Sequence, residues 1–181
     1  LALPWGRFIA STVDEAGMVR GEMDRSSREF VSIRKNPYGQ GQTTLAVAAL
    51  VRAGHDEFIP VLNRLADYMD GDYAPGGVGR LVVLDEHWTC IASLVVRDAI
   101  GRAAGDDVCF AYLHKERSKT PDASSRIRPF AAAAGGLAEA VVAAAYLNER
   151  HTTDALAFGQ WFLNSAYAAA DASLLPRPSD L

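Results

Sequence analysis

The chain has 181 residues, of which 49% are hydrophobic and 22% charged, and its formal net charge is −4. This length predicts one domain or slightly more, and the balance of apolar and charged residues excludes a disordered protein. No apolar run approaches the 18 or so residues of a membrane span. The mildly acidic charge lacks the excess of basic residues that is typical of nucleic-acid-binding proteins. The sequence contains 31 alanines, and because alanine is the best helix former, the composition favours an all-α fold.

Residues 1–37 differ from the rest and are predicted to form a lead segment. Asp14–Gly17 is a turn signal between two short apolar segments, and Phe30–Ile33 has the composition of a strand. We therefore expect residues 7–34 to be irregular, with a short β-hairpin element. The chain begins with Leu1 instead of Met, which indicates an incomplete N-terminus, in a fragment or a processed chain.

Residues 38–181 show a helical pattern that repeats. Segments 42–53, 87–100 and 129–147 are apolar nearly all round, and the segments that follow them, 56–69, 106–115 and 153–170, are amphipathic. The helix breaks at Gly54, Gly101 and about Arg150 are 47 and 49 residues apart, a period typical of stacked helical hairpins. Because all-round apolar helices are buried and amphipathic ones lie at a surface, the pattern predicts three hairpins with inner and outer layers.

The two cysteines, Cys90 and Cys109, each lie inside an apolar helical pattern. Buried cysteines in such a pattern behave as small apolar residues. Since only two are present, the sequence favours free core thiols in a reducing compartment over a disulfide framework, and a cytoplasmic location.

The pattern of hairpins led by a small β-element resembles the α/α-toroid proteins, the six-hairpin glycosidase-like group. The segments that carry the likeness are Tyr38–Ala46, Asp85–Thr89 and Pro129–Leu137, which open the three inner helices. The resemblance implies a central cavity lined by the loops that lead into the inner helices, and the group includes glycoside hydrolases, polysaccharide lyases and uronyl epimerases. Three hairpins make half of a six-hairpin ring, so either a partner chain or a missing segment completes the ring, or the array stays open.

The densest group of reactive side chains is Asp85, Glu86 and His87, at the start of the second inner helix. We predict Glu86 and His87 as acid and base, with Asp85 supporting them, since an imidazole titrates near neutral pH. The alternatives are helix capping by the two carboxylates and a structural role for His87. Glycoside hydrolysis needs a second carboxylate across the scissile bond, and the sequence shows none at another inner-helix start.

The predicted binding wall comes from the starts of the first and second inner helices. Tyr38 and Trp88 offer aromatic faces for a sugar, although core packing explains them equally well. Gln40 and Gln42 offer amides to hydroxyl groups, and their alternative role is to satisfy free N–H groups at the helix end.

Arg126 and Arg128 precede Pro129 at the third inner helix. A guanidinium binds a carboxylate through two hydrogen bonds, which suits a uronate, and the alternative is a pair of solvent-exposed loop charges. In an epimerase or lyase, Tyr38 would transfer the proton and an arginine would hold the carboxylate.

The four histidines lack the paired spacing of a metal site, so we expect neither a metal nor another cofactor. Whether the chain is an enzyme is left open. The rival functions are a non-catalytic helical-repeat module that binds a partner and a toroid acting on terpenoid or prenyl substrates, for which no Asp-rich motif is present. In a ring the inner-helix starts converge on one pocket, and in a solenoid they lie along an edge.

Overall fold

A computed structural model describes residues 2–32, 37–71, 87–119 and 132–147, together with Gln160. The described part is mostly helical, which confirms the all-α class. Six α-helices follow one another in these ranges: α1 Ala2–Ser11, α2 Pro37–Arg52, α3 Ile59–Gly71, α4 Trp88–Ile100, α5 Asp106–Lys119 and α6 Ala132–Tyr146. None of these helices has the length and hydropathy that a membrane crossing requires.

The N-terminal segment is more ordered than its sequence predicts. Helix α1 occupies Ala2–Ser11. The expectation of irregular structure from residue 7 onward is therefore wrong for residues 7–11, which are helical. Strands β1 (Glu22–Met23) and β2 (Phe30–Ser32) pair antiparallel with one irregularity in register. This pair is minimal, and the remaining described residues between α1 and α2 are turns and one isolated bridge between Val13 and Val19.

Two of the predicted breaks end helices as expected. Gly54 follows α2 with φ of +88°, and the N–H of His55 returns to the carbonyl of Leu50. Gly101 caps α4 with φ of +67° and donates to the carbonyl of Arg97. Glycine adopts this left-handed conformation without steric cost, which is why helices so often end on it. The third predicted break, near Arg150, lies outside the described residues, as does most of the segment predicted to form the last outer helix.

Helices α2 and α4 run in the same direction, and α6 packs against α4. Gly41 lies against Trp88 at one end of α2, and Arg52 pairs with Asp98 at the other end, with 3.2 Å between Nη1 and Oδ2. Helix α5 runs back along α4, because Gly105 at its start lies against Ser93 and Cys109 lies beside Cys90. Within the described residues, the reversal between α4 and α5 is what the second predicted hairpin requires.

The core has two parts. The first joins Val13, Met18 and Val19 to buried side chains of α2, α3 and α4. The second lies among α4, α5 and α6 and includes Cys90, Cys109 and Leu113. The lead segment therefore packs directly on the helical hairpins.

Cys90 of α4 and Cys109 of α5 form a disulfide, with 4.6 Å between their Cα atoms. The prediction of free core thiols is therefore wrong, although both cysteines are buried as expected. The two cysteines lie on the two helices of one hairpin. The turn between these helices folds α5 back on α4 and brings the cysteines into contact. Disulfides persist in oxidising compartments, and the thiol argument for a cytoplasmic location is lost.

Arg102 connects the α4–α5 turn to α3. Its Nη2 donates to Asp67 at 2.7 Å and to Asp70 at 3.2 Å. The hydrogen bond to Asp67 raises the pKa of Arg102 above its ordinary value. The other carboxylate oxygen of Asp70 accepts the N–H of Gly105, so this cluster fixes the turn that the second hairpin needs.

Candidate functional site

The starts of α2 and α4 meet, and they bring three of the predicted site residues together. The ring centroids of Tyr38 and His87 are 5.8 Å apart and those of Tyr38 and Trp88 are 6.3 Å apart, both in edge-to-face arrangements. Tyr38 is 49% exposed. This aromatic junction is the core of the candidate site.

Trp88 lies in the junction as a packing residue. Its Cβ is so close to Gly41 that any side chain at that position would collide with it, and its Nε1 is buried without an acceptor in the described structure. Its ring contacts the rings of Tyr38 and His87 and is only partly exposed. These contacts favour the packing alternative for Trp88, and Tyr38 is the more exposed of the two aromatics.

The close approach of α2 to α4 gives a first testable prediction. We expect Gly41→Ala to destabilise the protein by about 1–2 kcal/mol, because overpacking costs about 1–3 kcal/mol and alanine recovers up to about 1 kcal/mol in helix propensity. Trp88 Cβ is fixed to the backbone and has no rotamer to escape into. Urea unfolding measures the change.

Gly71→Ala is the matched control for this prediction. Gly71 ends α3 and has no atom within 4 Å of the place that a Cβ would occupy, so its substitution is expected to be neutral or stabilising. Equal effects of the two substitutions would contradict the close packing of α2 on α4.

Glu139 of α6 supplies a carboxylate that sequence reasoning missed. Its Oε2 lies 3.4 Å from Nε2 of His87, and its side chain is 59% exposed. Helix α6 is alanine-rich, and Glu139 is its one charged residue. The sequence did offer a signal for Glu139, because it is a single charge in an otherwise apolar helix. It was missed because the second carboxylate is expected at the start of a helix, and Glu139 lies in the middle of one.

Gln40 is buried and hydrogen-bonded to the lead segment, which favours a structural role over a place in the binding wall. It is 3% exposed. Its Oε1 accepts the N–H of Val19 at 2.9 Å, and its Nε2 donates to the carbonyl of Gly17 at 2.8 Å. Both amide atoms thus hold the lead segment against α2, and burial keeps this side chain away from solvent.

The remaining predicted residues divide into two groups. Gln42 is exposed on α2, one turn beyond Tyr38. Four of the predicted residues lie outside the described ranges, and their roles stay predictions: Asp85, Glu86, Arg126 and Arg128.

The exposed apolar side chains of α2 and α6 are here called the apolar stripe. Leu45 of α2 is 37% exposed, and Val142 and Tyr146 of α6 are 59% and 71% exposed. Ile91 and Leu94 of α4 line a shallow cavity of about 380 Å³, to which α6 also contributes. The candidate site therefore has a polar end at the aromatic junction and an apolar cavity beside it.

The polar end has the components of acid–base chemistry. A carboxylate beside an imidazole orients the ring, and a histidine so placed can give or take a proton. The exposed phenol of Tyr38 lies against the same ring. Within the described ranges, no group of three or more histidine, cysteine or carboxylate side chains could hold a metal ion.

No protein-family model matches the chain, and no curated protein or solved structure is significantly similar to it.

Proposed function

We propose that the chain is part of a carbohydrate-active α/α toroid, with its saccharide site at the starts of the parallel helices. One observation carries the proposal: three successive packed helices bring the exposed Tyr38, the imidazole of His87 and the carboxylate of Glu139 to one place. The starts of α2 and α4 meet there and Glu139 reaches it from the middle of α6, which supports a shared pocket of the kind that a ring requires.

The proposed roles follow from the chemistry of each group. His87 exchanges a proton with the substrate, Glu139 orients the imidazole, and Tyr38 contacts the sugar through its ring face and hydroxyl. Glu86 or Asp85 is proposed as the opposing acid of a hydrolase. Arg126 and Arg128 are proposed to bind a uronate carboxylate, which in an epimerase or lyase would leave proton transfer to Tyr38 and His87.

A second function is supported by the apolar stripe. Leu45, Val142 and Tyr146 are exposed, and exposed apolar patches mark interaction surfaces. In the toroid proposal a partner chain or a further segment completes the ring and covers part of this stripe. In the rival proposal the stripe is itself the binding surface of a non-catalytic helical module.

Thermal-shift measurements with uronate and neutral oligosaccharides test the saccharide site. A ligand at 100 times its dissociation constant adds about 2.7 kcal/mol of stability, so we expect the wild-type midpoint to rise by roughly 5–10 °C. Glu139→Gln should reduce the rise, because Glu139 lies beside His87 at the proposed site and the substitution removes its carboxylate.

Glu29→Gln is the matched control, since Glu29 is an exposed carboxylate of the β1–β2 turn. It should respond to sugars as the wild type does. The saccharide proposal is overturned if no sugar stabilises the wild type, or if Glu139→Gln and Glu29→Gln respond identically.

A further inference from the structure

We propose that a second pocket, beside α3, binds a small ligand through a carboxylate or phosphate group, with Arg64 as its anchor. The pocket has a volume of about 660 Å³ and lies between the end of α1, the turn that follows it and α3. It shares no lining residue with the aromatic junction. The proposal is therefore independent of the saccharide site.

Arg64 is a partly buried arginine without a partner in the described part of the chain. Its Nε is buried with no acceptor within hydrogen-bond distance, and no carboxylate pairs with its guanidinium. The other partly buried arginines nearby do have partners: Arg97 pairs with Asp106 at 2.5 Å and Arg102 with Asp67 at 2.7 Å. Buried polar groups are nearly always satisfied, so an unsatisfied one points to a missing acceptor.

The other charges of the pocket leave Arg64 available to an anion. Asp14 accepts the N–H of Met18 at 2.9 Å and lies 3.9 Å from Nε of Arg20. Arg20 therefore offsets the charge of the Asp14 carboxylate. Glu15 is exposed, and water screens its repulsion more than it screens the attraction of the partly buried Arg64. The Arg64 guanidinium can bind a carboxylate or phosphate through paired hydrogen bonds.

The wall of the pocket is held in place before any ligand binds. Gly17 has φ of +84°, and its turn lies directly on the backbone carbonyl of Arg64, where a Cβ would collide. Gln40 fixes the same turn through its hydrogen bonds to Gly17 and Val19. A preorganised wall spares the ligand the cost of ordering it.

Thermal-shift titrations with inorganic phosphate and with citrate, each against sodium chloride of equal ionic strength, test the pocket. We expect phosphate, citrate or both to raise the wild-type midpoint by several degrees beyond chloride. The anion that acts identifies the ligand as a phosphate or a carboxylate. The same rise is expected for Arg25→Gln, which removes an exposed arginine of the β1–β2 turn, and none for Arg64→Gln.

Glu15→Gln is expected to lower the dissociation constant for the same anion severalfold, because it removes a repelling charge. The proposal is overturned if neither anion acts beyond chloride on the wild type, or if Arg64→Gln is stabilised as much as Arg25→Gln. If Arg64→Gln fails to fold, an NMR titration of the wild type with the active anion tests the proposal instead. The anion is expected to shift the amide signals of Ser11, Ala16 and Arg20, and unshifted signals overturn the proposal.

Discussion

Replacing Cys90 and Cys109 together by alanine is expected to lower the free energy of unfolding by about 3 kcal/mol. The cross-link closes a loop with a sequence separation of 19, and a loop of that length restricts the unfolded chain by about this amount. For a chain of this size the melting midpoint should fall by roughly 6–12 °C. Calorimetry or urea unfolding of the oxidised wild type and the double variant measures the difference.

A chemical count of thiols checks the premise of this prediction. Both cysteines are 0% exposed, so a thiol reagent should label neither in the folded protein. In denaturant without a reductant, labelling should still be absent, and it should reach two thiols only after reduction. Labelling of two thiols in denaturant alone would contradict the disulfide and restore the free thiols that the sequence favours.

Gln40→Leu is expected to have the second large effect, a loss of roughly 2–4 kcal/mol. The substitution leaves the N–H of Val19 and the carbonyl of Gly17 without their side-chain partner, in a place where Val19 is 7% exposed. Each buried polar group left unsatisfied costs about 1–3 kcal/mol. The loss should appear in urea unfolding as a lower midpoint.

Gln42→Leu is the control on the same helix. Gln42 is exposed, and surface substitutions usually change stability by no more than about 0.5 kcal/mol. If the two glutamines tolerate leucine equally well, Gln40 does not anchor the lead segment, and its assignment to the binding wall becomes open again.

The helices of the hairpins could be predicted because their signals are local. Gly54 and Gly101 end helices at the predicted residues, and the period of apolar segments predicts parallel first helices. Helix α1 could not be predicted, because Pro4 and Gly6 break the local pattern. Gly6 packs against Leu50, with only 2.6 Å to a Cβ placed there. Gly6 lowers the helix propensity of this segment, and its presence is explained by the close packing of α1 on α2.

The candidate site was predictable where it follows the repeat. Tyr38 and His87 occupy corresponding helix starts, and they are in contact. Glu139 does not lie at a corresponding helix start, since it reaches His87 from the middle of α6. The partners of Gln40 are backbone groups of an irregular segment, which no side-chain pattern reveals. The disulfide had a usable signal, because Cys90 and Cys109 lie on the two arms of one predicted hairpin.

An NMR titration of the isotope-labelled wild type with a uronate oligosaccharide tests the central claim most directly, that the helix starts form one saccharide site. The claim predicts that the signals of Tyr38, His87 and Glu139 shift together with a single dissociation constant, while that of Arg25 stays unchanged. Absence of shifts at saturating sugar, or shifts in which these three residues do not take part, would contradict it.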